Sequence, residues 1–445
     1  MKYTKYLAIL AAAFIMGSCS DDFLDKEPSE NASEDQIKDL LDKDPTAIQA
    51  YITGYYKNMF SPEAQQSHDD FGLKAFELAT DLMGDDMAYM TSHFFVYDYL
   101  LDNRASSYRR TTTYWQELYA VISGANEVIS GLKEQADSGD ESVEKMLGQS
   151  YTIRAYCYFW LINMYQQPYE WNKDKLGIPI YTESETKLNR VPVSEVYEQI
   201  LSDIDKGYNY LKGKGIAKKD ELNEYAAAAI YANILSFVND YPDQWNEVAK
   251  YAKLAIEGGS LMSEKELLSG FNDLSLSEVL WGADINGETN THYKVRQYVQ
   301  RKFIDIGSTA PGFTPTGDTF CSDYIYLRTG EMYFVAAEAL YRAGKESEAK
   351  TMLTTIMKTR NPKYETSATS DALLQEIELQ KRIEMWGEGR RLFDMKRRNE
   401  SLDRTHAINH SAIAPKEVPA GSKLFIYQIP DKELNANSEI TDKNE

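Results

Sequence analysis

The strongest constraint on the fold is a pair of stretches in which apolar side chains recur at three- and four-residue spacing, stop at a turn, and resume. In 330–362, Tyr333, Ala336, Ala337 and Leu340 line one helix, Gly344 turns the chain, and Ala349, Leu353 and Ile356 line the next before Pro362. That mixture of small and large positions is close to a tetratricopeptide unit. Residues 225–258 carry a looser version, with Ala232, Leu235 and Ser236 followed by Val248, Ala252 and Ala255. A helical pair of this kind cannot bury its apolar face alone, so pairs stack into a continuous core and make a rigid scaffold.

The same period predicts helices over roughly 45–60, 70–84, 112–134, 142–166, 194–212, 222–239, 244–258, 328–343, 346–360 and 370–398. Strand signals are few and short: Ile178-Pro179-Ile180, Glu278 to Ile285, and Leu424 to Ile429. The expected class is mostly α, a tetratricopeptide-like helical-pair scaffold with a few short strands. About 261–327 the helical period is lost, and Gly, Thr, Asp and aromatic residues take over. A long irregular insertion on a rigid support is where binding residues tend to sit. Trp281, in Glu278-Val279-Leu280-Trp281-Gly282-Ala283, belongs to a short strand and the core.

At the N-terminus, Lys2 and Lys5 precede an unbroken apolar run, Tyr6 to Met16, then Gly17, Ser18 and Cys19, and then acidic Ser20-Asp21-Asp22-Phe23-Leu24-Asp25. The run is about half of the ~20 residues a permanent spanning helix requires. It reads as an export signal whose cleavage leaves Cys19 as the first mature residue, the arrangement of bacterial lipoproteins. Acyl chains on Cys19 would anchor the protein to a membrane without spanning it, since two or more chains hold stably where one does not. The expected organisation is a signal at 1–18, a polar, acidic tether at 19–44, and one folded unit at 45–445. Within that unit we expect an N-terminal helical half about 45–260, the insertion about 261–327, and a C-terminal helical region about 328–445.

Loss of residues 1–18 removes Lys2 and Lys5 and no acid, which takes the formal charge from −21 to −23. Such a surface repels phosphate backbones, and no basic cluster interleaved with aromatics offsets it, so nucleic acid is excluded as a partner. Besides Cys19 there are only Cys157 and Cys321, too few for a disulfide framework in an oxidising compartment. Cys157, in Tyr156-Cys157-Tyr158-Phe159-Trp160, reads as a small buried thiol; its pairing with Cys321 stays open.

The chain has no His-Glu-x-x-His, no P-loop, no Gly-x-Ser-x-Gly elbow and no Cys-x-x-Cys, so nothing in it indicates catalysis or a cofactor. Paired carboxylates for glycoside hydrolysis are spatial rather than sequential, and with 69 acidic residues they stay an alternative. His406 and His410 share helical spacing but sit beside Asn409 and Pro415, against a metal site. Asp81, Asp85 and Asp86 around Gly84 lack the alternating ligands of a calcium loop and read as a solvated loop.

Several segments together resemble the SusD/RagB family of outer-membrane nutrient-binding lipoproteins of Bacteroidetes. In the N-terminal half they are Ile153-Arg154-Ala155-Tyr156 through Trp160-Leu161-Ile162-Asn163-Met164-Tyr165, Gly177-Ile178-Pro179-Ile180, and Arg190-Val191-Pro192-Val193-Ser194-Glu195-Val196-Tyr197. The sharper match is Arg382-Ile383-Glu384-Met385 with Glu388-Gly389-Arg390-Arg391-Leu392-Phe393-Asp394-Met395-Lys396-Arg397, which follows the helical pair at 330–362. The acidic run after Cys19 resembles the family's surface-export signal. Departures include Leu392 in a slot often occupied by tryptophan, Gln428-Ile429-Pro430 where Pro-Ile-Pro is usual, and no Gln-Asn-Pro-Gly-Tyr ending. From the residues themselves, 382–397 is framework: Glu388 with Arg391 and Asp394 with Arg397 are spaced to pair on a helix, and Gly387 and Gly389 permit a kink.

The resemblance implies a cell-surface protein that binds oligosaccharide and acts as a hinged lid over a SusC-like TonB-dependent β-barrel transporter. It also implies that ligand is held by loops such as 89–99 and 286–320. Flat amphipathic rings suit a sugar, which offers C–H faces to the ring and hydroxyls to polar neighbours. The candidates are Tyr89, Phe94, Tyr97, Tyr293 and Tyr298. Rival readings are a peptide ligand, as in RagB-like members, a surface glycoside hydrolase, and a helical-repeat adaptor with protein partners only.

Overall fold

A computed structural model describes residues 45–56, 59, 69–89, 94–136, 138–183, 186–285 and 323–444. Cys19, Tyr293, Tyr298 and Cys321 lie outside the described residues. In chain order the helices begin with α1 Pro45–Tyr56, α2 Leu73–Leu82, α3 Val96–Leu100, α4 Arg109–Leu132, α5 Glu141–Tyr165 and α6 Tyr169–Asn172. A two-residue hairpin follows, β1 Ile180–Tyr181 with β2 Thr186–Lys187, and then α7 Val193–Leu211, α8 Glu224–Leu235, α9 Gln244–Ile256 and α10 Glu264–Leu267. Strands β3 Val279–Ala283 and β4 Tyr324–Arg328 lead into α11 Thr329–Arg342, α12 Glu346–Arg360, α13 Asp371–Glu384 and α14 Arg391–Arg397. The chain closes with β5 Leu402–Asp403, β6 Glu417–Val418 and α15 Asp431–Ala436. The protein is mostly α, as the periodicity predicts.

The centre of the fold is α5, whose residues from Met146 to Tyr165 are all buried. A helix buried all round shows no amphipathic stripe. Asp140 caps its start, accepting from Ser142 N at 2.8 Å, and α4 and α7 pack on either side. The α5–α7 contact is close because glycine faces glycine. A Cβ on Gly207 would stand 2.8 Å from the Thr152 amide, and one on Gly148 would stand 3.1 Å from the Gly207 carbonyl. Cys157 on α5 is fully buried, and burial raises its thiol pKa beyond the range in which it reacts.

A helix leaves its last carbonyls without partners unless other groups supply donors. Here three distant segments do so. Lys396 Nζ donates to Asn163 O and, at 2.8 Å, to Gln166 O; Tyr427 N donates to Met164 O at 2.8 Å; Asn444 Nδ2 donates to Tyr165 O at 2.7 Å.

The two repeat-like pairs form as expected and stack on one another. α8 packs on α9, α9 on α11, and α11 on α12 and α13. Gly344 makes the α11–α12 turn at φ +75°, a conformation open to glycine at no steric cost.

Three of the element assignments fail for identifiable reasons. The predicted helix 370–398 is two helices, because Gly387 and Gly389 sit at φ +83° and +75° and fold 385–390 into a turn. Asp81 receives the amides of Gly387 (2.8 Å), Gly389 (3.1 Å) and Arg391 (3.0 Å), and burial pushes its carboxyl up to about 6 against those donors. The predicted strand 424–429 does not form: Lys423–Phe425 is a 3₁₀ turn, and the Tyr427 and Gln428 amides go to Met164 O and Arg104 O. Third, 324–327, assigned to the irregular insertion, belongs to a strand paired antiparallel with β3, Ala283 opposite Tyr324 and Gly282 opposite Ile325. Trp281 of β3 is buried as predicted.

The aspartates around Gly84 are not a solvated loop. Asp85 binds Arg391 at 2.6 Å and Asp86 binds Arg382 at 2.6 Å, so the loop is stitched to the turn at 385–391. The Arg391 and Arg382 guanidiniums offset burial and hold Asp85 below the usual carboxylate range. Glu388 does not pair with Arg391 but enters the buried Arg328 group, whereas Asp394 and Arg397 do pair, at 3.3 Å. Segment 382–398 is therefore framework. Arg328, 1 % exposed in its side chain, holds Glu278 (2.9 Å), Glu384 (2.7 Å) and Glu388 (2.7 Å), and Arg360 adds bonds to Glu278 and Glu384.

Candidate ligand-binding surface

Helix α3 carries Tyr97 and is short enough that its mounting decides its geometry. Phe94 and Leu101 bracket it, both in the left-handed region at φ +53° and +58°. Such a conformation costs a non-glycine residue about 1 kcal/mol or more and persists only where surrounding contacts impose it. Those contacts come from Asp98 and Tyr99. Asp98 is fully buried and accepts from Asn103 Nδ2 (2.9 Å), Arg110 Nη2 (3.0 Å) and Tyr427 Oη (3.2 Å). Arg110 also reaches Asp69 at 2.9 Å. Burial disfavours the Arg110 charge, but Asp98 and Asp69 outweigh it and hold the guanidinium firmly protonated. Tyr99 Oη meets His410 Nδ1 at 2.8 Å and takes the Ser411 amide at 3.0 Å, with the Arg404 guanidinium 4.4 Å from its ring centre.

With residues 98 and 99 pinned inward, Tyr97 faces outward. The residue is 50 % exposed, an exposure high for a ring of this size on an ordered element. Tyr89 and Phe94 are half-buried and pack against the core. Of the five candidate residues, then, Tyr97 is displayed, Phe94 lies at the entry to the same short helix, Tyr89 packs against the core, and Tyr293 and Tyr298 lie outside the described residues. His410 is tied to Tyr99 and lies 3.2 Å from Asp85 O, and among the described residues no group of three or more His, Cys, Asp or Glu is arranged to hold a metal ion.

A second concave region escapes sequence reasoning. A cleft of about 560 Å³ lies between Trp171 of α6, Trp245 of α9, Arg342 at the end of α11, Glu378 of α13, Arg397 at the end of α14, and Arg398 and Glu400 just beyond it. Its one local signal is Trp171 itself, an indole inside the polar run Gln166 to Lys175 with no helical apolar spacing around it.

Two family models match the chain. Residues 22–235 match the one described as "Starch-binding associating with outer membrane", and residues 271–445 match the one described as "SusD family". No curated protein matches the sequence. Among solved structures, the chain is similar to a SusD-like carbohydrate-binding protein from Bacteroides vulgatus (TM-score 0.75, 21% identity, 89% of this chain and 97% of that one). It is also similar to a SusD superfamily protein from Bacteroides fragilis (TM-score 0.73, 20% identity, 89% and 99%). A third is surface glycan-binding protein A from Bacteroides uniformis (TM-score 0.63, 17% identity, 90% and 99%). At these identities the structural likeness establishes the fold.

Proposed function

Because the chain belongs to the SusD/RagB family, whose members bind rather than catalyse, we propose that it captures oligosaccharide at the cell surface and delivers it to a SusC-like TonB-dependent β-barrel transporter. The observation that carries the reading is Tyr97, a half-exposed ring on a helix fixed from below by the buried Asp98 and Tyr99 contacts. A ring already ordered before ligand arrives loses little freedom on binding, so more of the stacking energy remains as affinity. Tyr293 and Tyr298 complete the ligand set in this reading. Contacts from the protein and from a barrel beneath it add, because ligand held by one surface meets the other at high effective concentration.

Anchoring is proposed at Cys19, with the segment 19–44 as tether, the folded unit at 45–445, and the outer membrane as location. Among the described residues no helix is long and apolar enough to cross a membrane. Labelled palmitate should enter the wild-type chain and fail to enter Cys19→Ala; equal labelling of both would remove the anchor from the account.

Calorimetry against glycan and peptide panels tests the ligand. We expect a neutral or weakly charged oligosaccharide to bind and Tyr97→Ala to weaken that binding about tenfold, in the range of an interface anchor, with the melting temperature unchanged. Binding of peptides alone would replace this reading with a peptide carrier, and release of reducing sugar over hours would replace it with a hydrolase. Detergent pull-down from membranes should recover a large β-barrel; recovery of soluble partners only would favour an adaptor.

A further inference from the structure

The cleft between α6, α9 and α14 is built from side chains whose positions are set before any ligand arrives. Trp245 forms part of the floor, with the Arg342 guanidinium 5.0 Å and the Arg397 guanidinium 6.0 Å from its ring centre. Each arginine is already paired. Arg342 binds Glu338 at 2.8 Å and Glu378 at 3.4 Å; Arg397 binds Glu338 at 2.8 Å; Arg398 binds Glu400 at 2.6 Å and approaches Glu378 at 3.7 Å. The lining therefore holds three arginines, Arg342, Arg397 and Arg398, against three glutamates, Glu170, Glu378 and Glu400. An anion would meet carboxylates and a cation would meet guanidiniums, so the cleft has no net preference for charge. It does offer fixed donors and acceptors side by side, which is what a polyhydroxylated neutral molecule requires.

Trp171, which also lines the cleft, is 46 % exposed. An indole this open to water on the rim of a polar cleft presents a flat apolar face that a sugar ring covers with its C–H side while its hydroxyls reach the paired charges. The volume falls within the ~300–1,000 Å³ usual for small-molecule sites. Of the described candidates, Tyr89, Phe94 and Tyr97 do not line it.

We propose that this cleft is a second saccharide site, taking a short segment of neutral glycan with Trp171 as the stacking platform and the Arg342, Arg397 and Arg398 ion pairs as hydrogen-bonding partners. The proposal rests on the reading above that the ligand is a glycan. Two sites on one chain let a long glycan be held at two points.

The test uses the full-length protein in detergent, with cellohexaose, maltoheptaose and xylohexaose as neutral probes, trigalacturonate as a charged one, and a glycine–alanine tetrapeptide. Binding is followed by tryptophan fluorescence and by protection of Trp171 from N-bromosuccinimide, read by peptide mass spectrometry. We expect at least one neutral probe to protect Trp171, Trp171→Ala to weaken that binding component by about tenfold, equivalent to the loss of one good stacking contact, and Trp171→Phe to retain most of it. If a neutral glycan binds while Trp171 stays unprotected and Trp171→Ala has no effect, the cleft site is overturned and glycan capture stands. If no neutral probe binds, both readings fall. Protection by trigalacturonate or by the peptide alone overturns the assignment to neutral glycan.

Discussion

Replacing Arg328 by leucine is expected to lower the unfolding free energy by about 3–5 kcal/mol, the cost of removing one partner from a buried ion group. The side chain is 1 % exposed and its guanidinium is shared among three carboxylates, one just before β3, one at the end of α13 and one in the 385–390 turn. Burial disfavours the charge, but Glu388, Glu384 and Glu278 overcome it and raise the Arg328 pKa far above its ordinary value. Without that charge the cluster keeps Arg360 as a cation, 2.6 Å from Glu278 and 2.8 Å from Glu384. Arg360 therefore cannot compensate three acids. Urea unfolding followed by circular dichroism should show the midpoint fall with an unchanged slope, as for a change in stability alone. Glu388→Gln in the same background should recover part of the loss, because it removes one of the stranded charges. A change below 1 kcal/mol for Arg328→Leu would mean that water reaches the group.

The second large effect concerns Lys396, 4 % exposed, whose ammonium donates to Asn163 O and Gln166 O at the end of α5. Burial, with a smaller contribution from Arg104, lowers its pKa from the ordinary 10.5 to about 7. Between those values the unfolded chain binds a proton that the folded chain does not, so stability rises with pH. The penalty is absent above pH 10.5, grows as pH falls toward 7, and is constant below that. Other groups titrate too, but a comparison with Lys396→Met isolates this one. The stability of the wild type relative to Lys396→Met should increase by about 1.4 kcal/mol per pH unit across this window, or roughly 3 kcal/mol from pH 7 to 9.5. A difference independent of pH would show that the lysine stays protonated throughout.

What the sequence discloses here depends on the range of the interaction. Helices and stacked pairs were legible because period and turn residues are local: Gly344 closes α11 and opens α12 within a few residues. Segment 382–397 was legible as charged framework, yet half of its pairing was not. Glu388 meets Arg328, 60 residues away, rather than Arg391 three residues on. Asp81 likewise resembles any loop acid until the 385–391 turn folds against it. Strand β4 is buried at all five positions, so it shows no alternation to read. Residues 424–429 form a short apolar run, but the Tyr427 and Gln428 amides serve the end of α5 and the Arg104 carbonyl. Tyr97 could be selected as a ring in an unusual setting, whereas its exposure depends on Asp98 and Tyr99 finding partners elsewhere. The cleft behind Trp171 draws residues from 168 to 400, a distance over which spacing carries no signal.

The end of α5 has a bearing on the order of folding. Asn444 closes it across a sequence separation of 279, and contacts this remote form late and slowly, because chain entropy must be spent before they reward it. The central helix therefore keeps its end unsealed while the elements around it are already packing. Its closure is then a late step that ties segments distant in sequence to one helix end.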